Sequence, residues 1–142
     1  MAKKIEKKVT KKSQTGAGFK KKKTVDNVTQ HGRVYITSTF NNTLVTVTND
    51  KGDSLGWSSS GAKGFKGARK STPYAASLAV EDVVKRIVDK GLRSADVFVK
   101  GPGAGRDSSL RGIKNAGLSI TSIADITPMP HNGPRAKKKR RV

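Results

Sequence analysis

The chain has 142 residues, 33% hydrophobic and 28% charged, with 30 Lys and Arg against 10 Asp and Glu, a net charge of +20 and a pI near 10.6. That length suits one domain, and the absence of cysteine excludes disulfide scaffolds, Cys-based zinc sites and thiol catalysis. The opening lysines lead into no apolar leader, and the longest charge-free run, Val34–Asn49, holds nine Thr, Ser or Asn residues, so neither a secretory signal nor a membrane span is expected.

The charge is concentrated at the two ends. Residues 1–24 hold ten lysines and one acid, Glu6, and residues 135–142 hold six cations and no acid. The two ends therefore carry +15, and residues 25–134, with 14 cations and nine acids, carry +5. Residues 1–24 are too poor in apolar side chains to offset the entropy of ordering. They are expected to form a disordered basic arm when free, followed by one globular domain over residues 25–128 and a basic tail over 129–142. Two basic runs flanking a mildly basic domain point to a polyanion as partner.

In chain order, Arg33–Phe40 alternates apolar and polar residues as a half-buried strand does. Asn41-Asn42 is a turn signal, since Asn tolerates positive φ, and Thr43–Asn49 alternates again and is rich in β-branched residues. Asp50-Lys51-Gly52-Asp53 is a second turn, leading to a third strand around Ser54–Ser60. Three strands joined by short turns predict an antiparallel meander. Gly61–Ser71, with three glycines and four cations, is a loop by composition. Ser71 or Thr72 can cap the helix that Pro73 opens, and Ala76, Val80, Val83, Val84, Ile87 and Val88 form its apolar stripe, with Gly91 as its stop. Val97-Phe98-Val99 predicts a buried strand, a glycine loop Gly101–Gly105 precedes a second short helix ending at Gly117, and Leu118–Ile126 alternates as a last strand. The order β-β-β-α-β-α-β, with strands after helices returning parallel, predicts an α/β mixed five-stranded sheet with helices packed on it.

Two glycine segments approach nucleotide-binding patterns without completing them. Gly64–Ser71 departs from GxxxxGK[ST] at Arg69, where a glycine must let the backbone curl around phosphates. Gly101–Arg106 departs from GxGxxG at Arg106, and Asp125, the nearest acid to the usual distance of about 20 residues, is weakly placed for that role. Both nevertheless place cations and backbone N–H groups at a helix start, which attracts phosphate; a tight turn is the bland reading of the second. The acids are scattered and the histidines, His31 and His131, are far apart, so no catalytic constellation, metal site or cofactor is expected. Trp57 shares a strand face with Leu55, which favours the core. Phe65, set between glycines and lysines where no core is expected, suits stacking on an unpaired base.

Four blocks, NNTLVTVTNDKGDSLGWSSSG (Asn41–Gly61), GFKGARKSTPYAA (Gly64–Ala76), KGPGAGRDSSLRGI (Lys100–Ile113) and DITPMPHNGPRAKKKRRV (Asp125–Val142), resemble in order the bacterial form of the small-subunit ribosomal protein eleven family. The resemblance implies a ribonuclease-H-like fold lacking that fold's catalytic carboxylates. It also implies a place in the cytoplasm on the 30S platform, bridging several 16S rRNA helices and helping form the Shine–Dalgarno cleft near the mRNA exit path. Small-subunit ribosomal proteins seven and eighteen would be neighbours, with no membrane and no homo-oligomer. Taken with the charge pattern, it makes Asn41, Asn42, Lys51, Trp57, Lys63, Phe65, Lys66, Arg69, Lys70, Gly101, Gly103, Gly105, Arg106, Arg111 and Lys114 the expected RNA contacts. In the tail they are His131, Asn132, Arg135, Lys137, Lys138, Lys139, Arg140 and Arg141. A nucleic-acid-binding architectural protein outside the ribosome is the alternative that charge alone allows.

Overall fold

A computed structural model describes residues 29–135 and 137–138. The lysine-rich arm expected over residues 1–24 and the tail cations Lys139, Arg140 and Arg141 lie outside the described residues.

The chain runs β1 (His31–Ser38), β2 (Thr43–Asn49), β3 (Ser54–Ser59), a 3-10 helix (Gly67–Ser71), α1 (Pro73–Val88), β4 (Ser94–Lys100), α2 (Gly105–Asn115) and β5 (Ser119–Asp125). The five strands form one mixed sheet in the order β3-β2-β1-β4-β5. The meander is antiparallel, and β4 and β5 join it in parallel after their helices, as the crossover rule requires. The expected mixed α/β architecture is therefore the one observed.

Alternation along β1 explains which face the helices cover. Val34 and Ile36 point inward and pair across the sheet with Val47 and Val45 on one side and Val97 and Val99 on the other. Val80, Val83, Val84 and Ile87 of α1, with Ile113 of α2, close over them. Tyr35 and Phe98 point the other way and stack, with ring centroids 5.2 Å apart. The same register carries that row outward to Thr46 and Trp57. Both helices pack on one side, so this opposite face stays open, and Leu44 and Trp57 are exposed on it.

Local chemistry adjusts several boundaries. Strand β1 ends at Ser38, two residues before the sequence pattern does, because Thr39 builds the turn. Its Oγ1 accepts from the Asn42 and Asn41 N–H groups at 3.1 and 3.4 Å and donates to the Asn42 carbonyl at 3.0 Å. The Gly61–Ser71 loop contains a 3-10 turn, which the Ser71 hydroxyl supports by donating to the Ala68 carbonyl at 2.7 Å. Thr72 is the cap of α1, accepting from Ala75 N–H at 3.3 Å, with Pro73 in the first turn. A register shift in the β2–β3 pairing between Val47 and Thr48 separates Leu55 from Trp57. Leu55 packs on the core, while Trp57 stands 63% exposed. A bulge inserts one unpaired residue and breaks the strict two-residue alternation, so the core reading of Trp57 is corrected.

Candidate nucleic-acid interface

Strand direction decides where the loops fall. β1, β3, β4 and β5 all run toward one end of the sheet, and β2 starts there. That end therefore collects the Asn41-Asn42 turn, the Gly61–Ser71 segment, the Gly101–Ala104 loop and the start of the tail. Both α1 and α2 also begin at it, so their unpaired N–H groups and positive dipole ends face the same side as the loops. The Gly103 N–H donates to the Ser38 carbonyl at 3.0 Å, and the Ser60 N–H to the Thr43 carbonyl at 3.1 Å, which ties two of these loops to the strand ends.

The cations at this end differ in how they are held. Lys66 and Arg69 are exposed, and Lys70 is half-buried beside Gly61. Lys63 instead reaches back to α1 and pairs with Asp82 at 2.5 Å, which Arg86 also contacts at 2.5 Å. The Lys63 hydrogen bond, aided by Arg86, holds the Asp82 carboxyl below its ordinary range against a partial desolvation cost. Phe65, expected to stand exposed, is instead half-buried, because the Tyr74 ring of α1 meets it at right angles with centroids 6.2 Å apart.

Arg106 lies at the centre of a clamp. It donates to the Gly101 carbonyl at 2.5 Å, to Thr127 Oγ1 at 3.3 Å and to Asp125 Oδ2 at 2.5 Å. The Thr127 N–H and hydroxyl donate to Asp125 Oδ1 at 2.9 and 2.6 Å, and the Gly101 N–H donates to Thr127 Oγ1 at 3.1 Å. The glycine loop and the first residues of the tail are thereby fastened together. Gly101 has φ +97°, and a Cβ there would strike the Ser38 carbonyl; at Gly103 a Cβ would strike Thr39. Only glycine lets this loop lie against the end of β1.

The Thr127 hydroxyl first, then its N–H, then Arg106 hold the Asp125 carboxyl at about 2, below its ordinary 3.8. Such a group stabilises the folded state in full above its unfolded pKa, and that contribution is lost as pH falls through the folded one. A carbon-detected NMR titration should therefore give Asp125 a midpoint near 2. Thr127→Val should raise it more than Arg106→Gln does, and the opposite ranking would mean that the guanidinium dominates.

Gly105 is the buried first residue of α2, and Arg111 is exposed on that helix. His131, Asn132, Arg135, Lys137 and Lys138 are exposed in the tail, where Asn132 adopts φ +57°. Lys51 lies in the β2–β3 turn at the opposite end of the sheet, Lys114 at the far end of α2, and Trp57 on the open face. The structure does not bring these three to the loop cluster. Sequence reasoning missed Tyr74 and Thr127, and weighed Asp125 only as a weakly placed partner of a dinucleotide fingerprint, not as the anchor of Arg106. Asp125-Ile126-Thr127 carried a signal, because an Asp that accepts from the N–H two residues on is an Asx turn.

Among the described residues no three His, Asp or Glu side chains gather to hold a metal, and no helix is long and apolar enough to cross a membrane. A sequence profile of the ribosomal protein S11 family matches residues 32–141, from the second residue of β1 into the tail. With that match over most of its length, on a mixed α/β sheet whose loops and tail meet at one basic end, the chain belongs to the ribosomal protein S11 family of structural, rRNA-binding proteins of the small ribosomal subunit.

Proposed function

We propose that the chain sits on the platform of the 30S subunit and bridges several 16S rRNA helices through the loop-bearing end of its sheet. The observation that carries this reading is the convergence there of three loops, two helix starts and the tail. Asn41, Asn42, Lys66, Arg69, Lys70 and the Gly101–Gly105 backbone would meet phosphates and sugars of the folded RNA. The tail from His131 onward would thread between helices and screen phosphates that otherwise repel. In this reading residues 1–24 form a second arm, residues 25–128 the rigid body and residues 129–142 the tail. The body's place would be at the Shine–Dalgarno cleft near the mRNA exit path, beside small-subunit ribosomal proteins seven and eighteen, in the cytoplasm. The role is assembly and support rather than turnover. Family membership and the scatter of the described acids support that.

Sedimentation tests it. The tagged chain, run from lysate through a sucrose gradient, is expected in the small-subunit peak both before and after a high-salt wash, because shape as well as charge holds it. Loss to the free fraction after the wash would favour the looser architectural reading.

A further inference from the structure

A groove opens between the start of α1 and α2, bordered by Ala104 of the glycine loop and by Arg111. Its volume is about 420 Å³, within the roughly 300–1,000 Å³ typical of small-molecule sites. The floor forms because the two helices approach closely. The Ser77 hydroxyl of α1 donates to the Ser108 carbonyl of α2 at 3.3 Å, and a Cβ at Gly112 would come within 3.3 Å of the Ser77 carbonyl. The walls combine Pro73 and Tyr74 on one side with Asp107, Arg111 and Asn115 on the other.

Three features of these residues point to a nucleobase. Tyr74, in the lining of the groove, is 67% exposed, and the Phe65 ring meets it edge-on and braces it from one side. Aromatic rings held in this way are the platforms on which unpaired bases stack. Arg111 supplies a guanidinium for the attached phosphate. Asp107 is the one carboxylate in the lining. A carboxylate only accepts, and among the four bases guanine alone presents two adjacent N–H donors on its Watson–Crick edge. The same carboxylate repels phosphate, so it leaves the backbone of the nucleotide to the Arg111 side.

The geometry points to this groove as a site for one unpaired guanosine of the RNA, its base against Tyr74, its Watson–Crick edge on Asp107 and its phosphate at Arg111. The inference rests on the rRNA-binding reading above and assigns one nucleotide of that RNA to a subsite between the two helix starts.

The test is filter binding of a 16S rRNA transcript by the full chain across a salt series, with circular dichroism to confirm folding of each variant. Tyr74→Ala should weaken binding roughly tenfold, as loss of one stacked base does. It should leave the slope of log K against log salt unchanged, because stacking releases no counterion. Tyr74→Phe should recover the affinity that alanine loses. Arg111→Gln should reduce the slope by about 0.7–0.9, the share of one phosphate. Ultraviolet crosslinking should place a guanosine adduct on the Tyr74 peptide and lose it in Asp107→Asn. Wild-type affinity in Tyr74→Ala overturns the subsite alone, and an adenosine or pyrimidine adduct overturns its guanine assignment. Failure of the unaltered chain to bind the transcript overturns both this subsite and the reading on which it rests.

Discussion

Replacing Gly101 with valine is expected to lower the midpoint of thermal unfolding by roughly 12–24 °C. The residue has φ +97°, where a β-branched side chain is a steric outlier, and its Cβ would strike the Ser38 carbonyl at the end of β1. Overpacking costs about 1–3 kcal/mol and a disfavoured backbone region about the same again. A total near 3 kcal/mol, at about 4–8 °C per kcal/mol for a domain of this size, gives the stated range. The loop is also the anchor of the tail, since its carbonyl accepts from Arg106 and its N–H donates to Thr127. Gly64→Val supplies the control. Gly64 has φ +85° but open space around its Cβ, so it carries the backbone strain without the collision. Equal shifts in the two melts would show that the collision is relieved by movement of the loop.

Truncation after Pro134 should have the largest effect on RNA binding while leaving the melt nearly unchanged. The segment removed holds Arg135, Lys137, Lys138, Lys139, Arg140 and Arg141. Six phosphate contacts, each releasing about 0.7–0.9 counterions, contribute roughly 4–5 units to the slope of log K against log salt. Between 50 and 200 mM salt such a slope amounts to a loss of about 10³-fold in affinity, and the truncated chain should show a correspondingly flatter curve. Stability should hold because Arg135, Lys137 and Lys138 are exposed and bury no apolar surface. A slope unchanged by the truncation would assign the phosphate contacts to the globular body.

How far the sequence foretold this molecule depends on the range of the interaction. Alternation in β1 and β2, the Pro73 start of α1 and the glycine stops are local signals, and the elements stand where those signals put them, to within about two residues. Ion pairs along α1, Glu81 with Lys85 and Asp82 with Arg86, are of the same local kind, because helical spacing alone makes them neighbours. The β2–β3 bulge was not, since nothing in Ser54–Ser59 marks where the register shifts. Trp57 therefore faces outward although Leu55 packs inward. The candidate site divides in the same way. Composition marked Lys63 and Arg106 as cations in glycine loops, yet each has an acid partner 19 residues further along the chain. Those partners become neighbours only once α1 lies beside the Gly61–Ser71 segment and β5 beside β4. A paired arginine and a free one look identical in a sequence.

The segregation of loops to one end of the sheet leaves a practical handle at the other. The β2–β3 turn lies there, with Lys51 exposed and open space around Gly52. Because the chain contains no cysteine, Lys51→Cys creates a single thiol on the side remote from the loops, tail and helix starts. A fluorophore attached at that point would travel with the protein and report its arrival on a particle by rotational slowing or energy transfer, with the loop-bearing end of the sheet untouched.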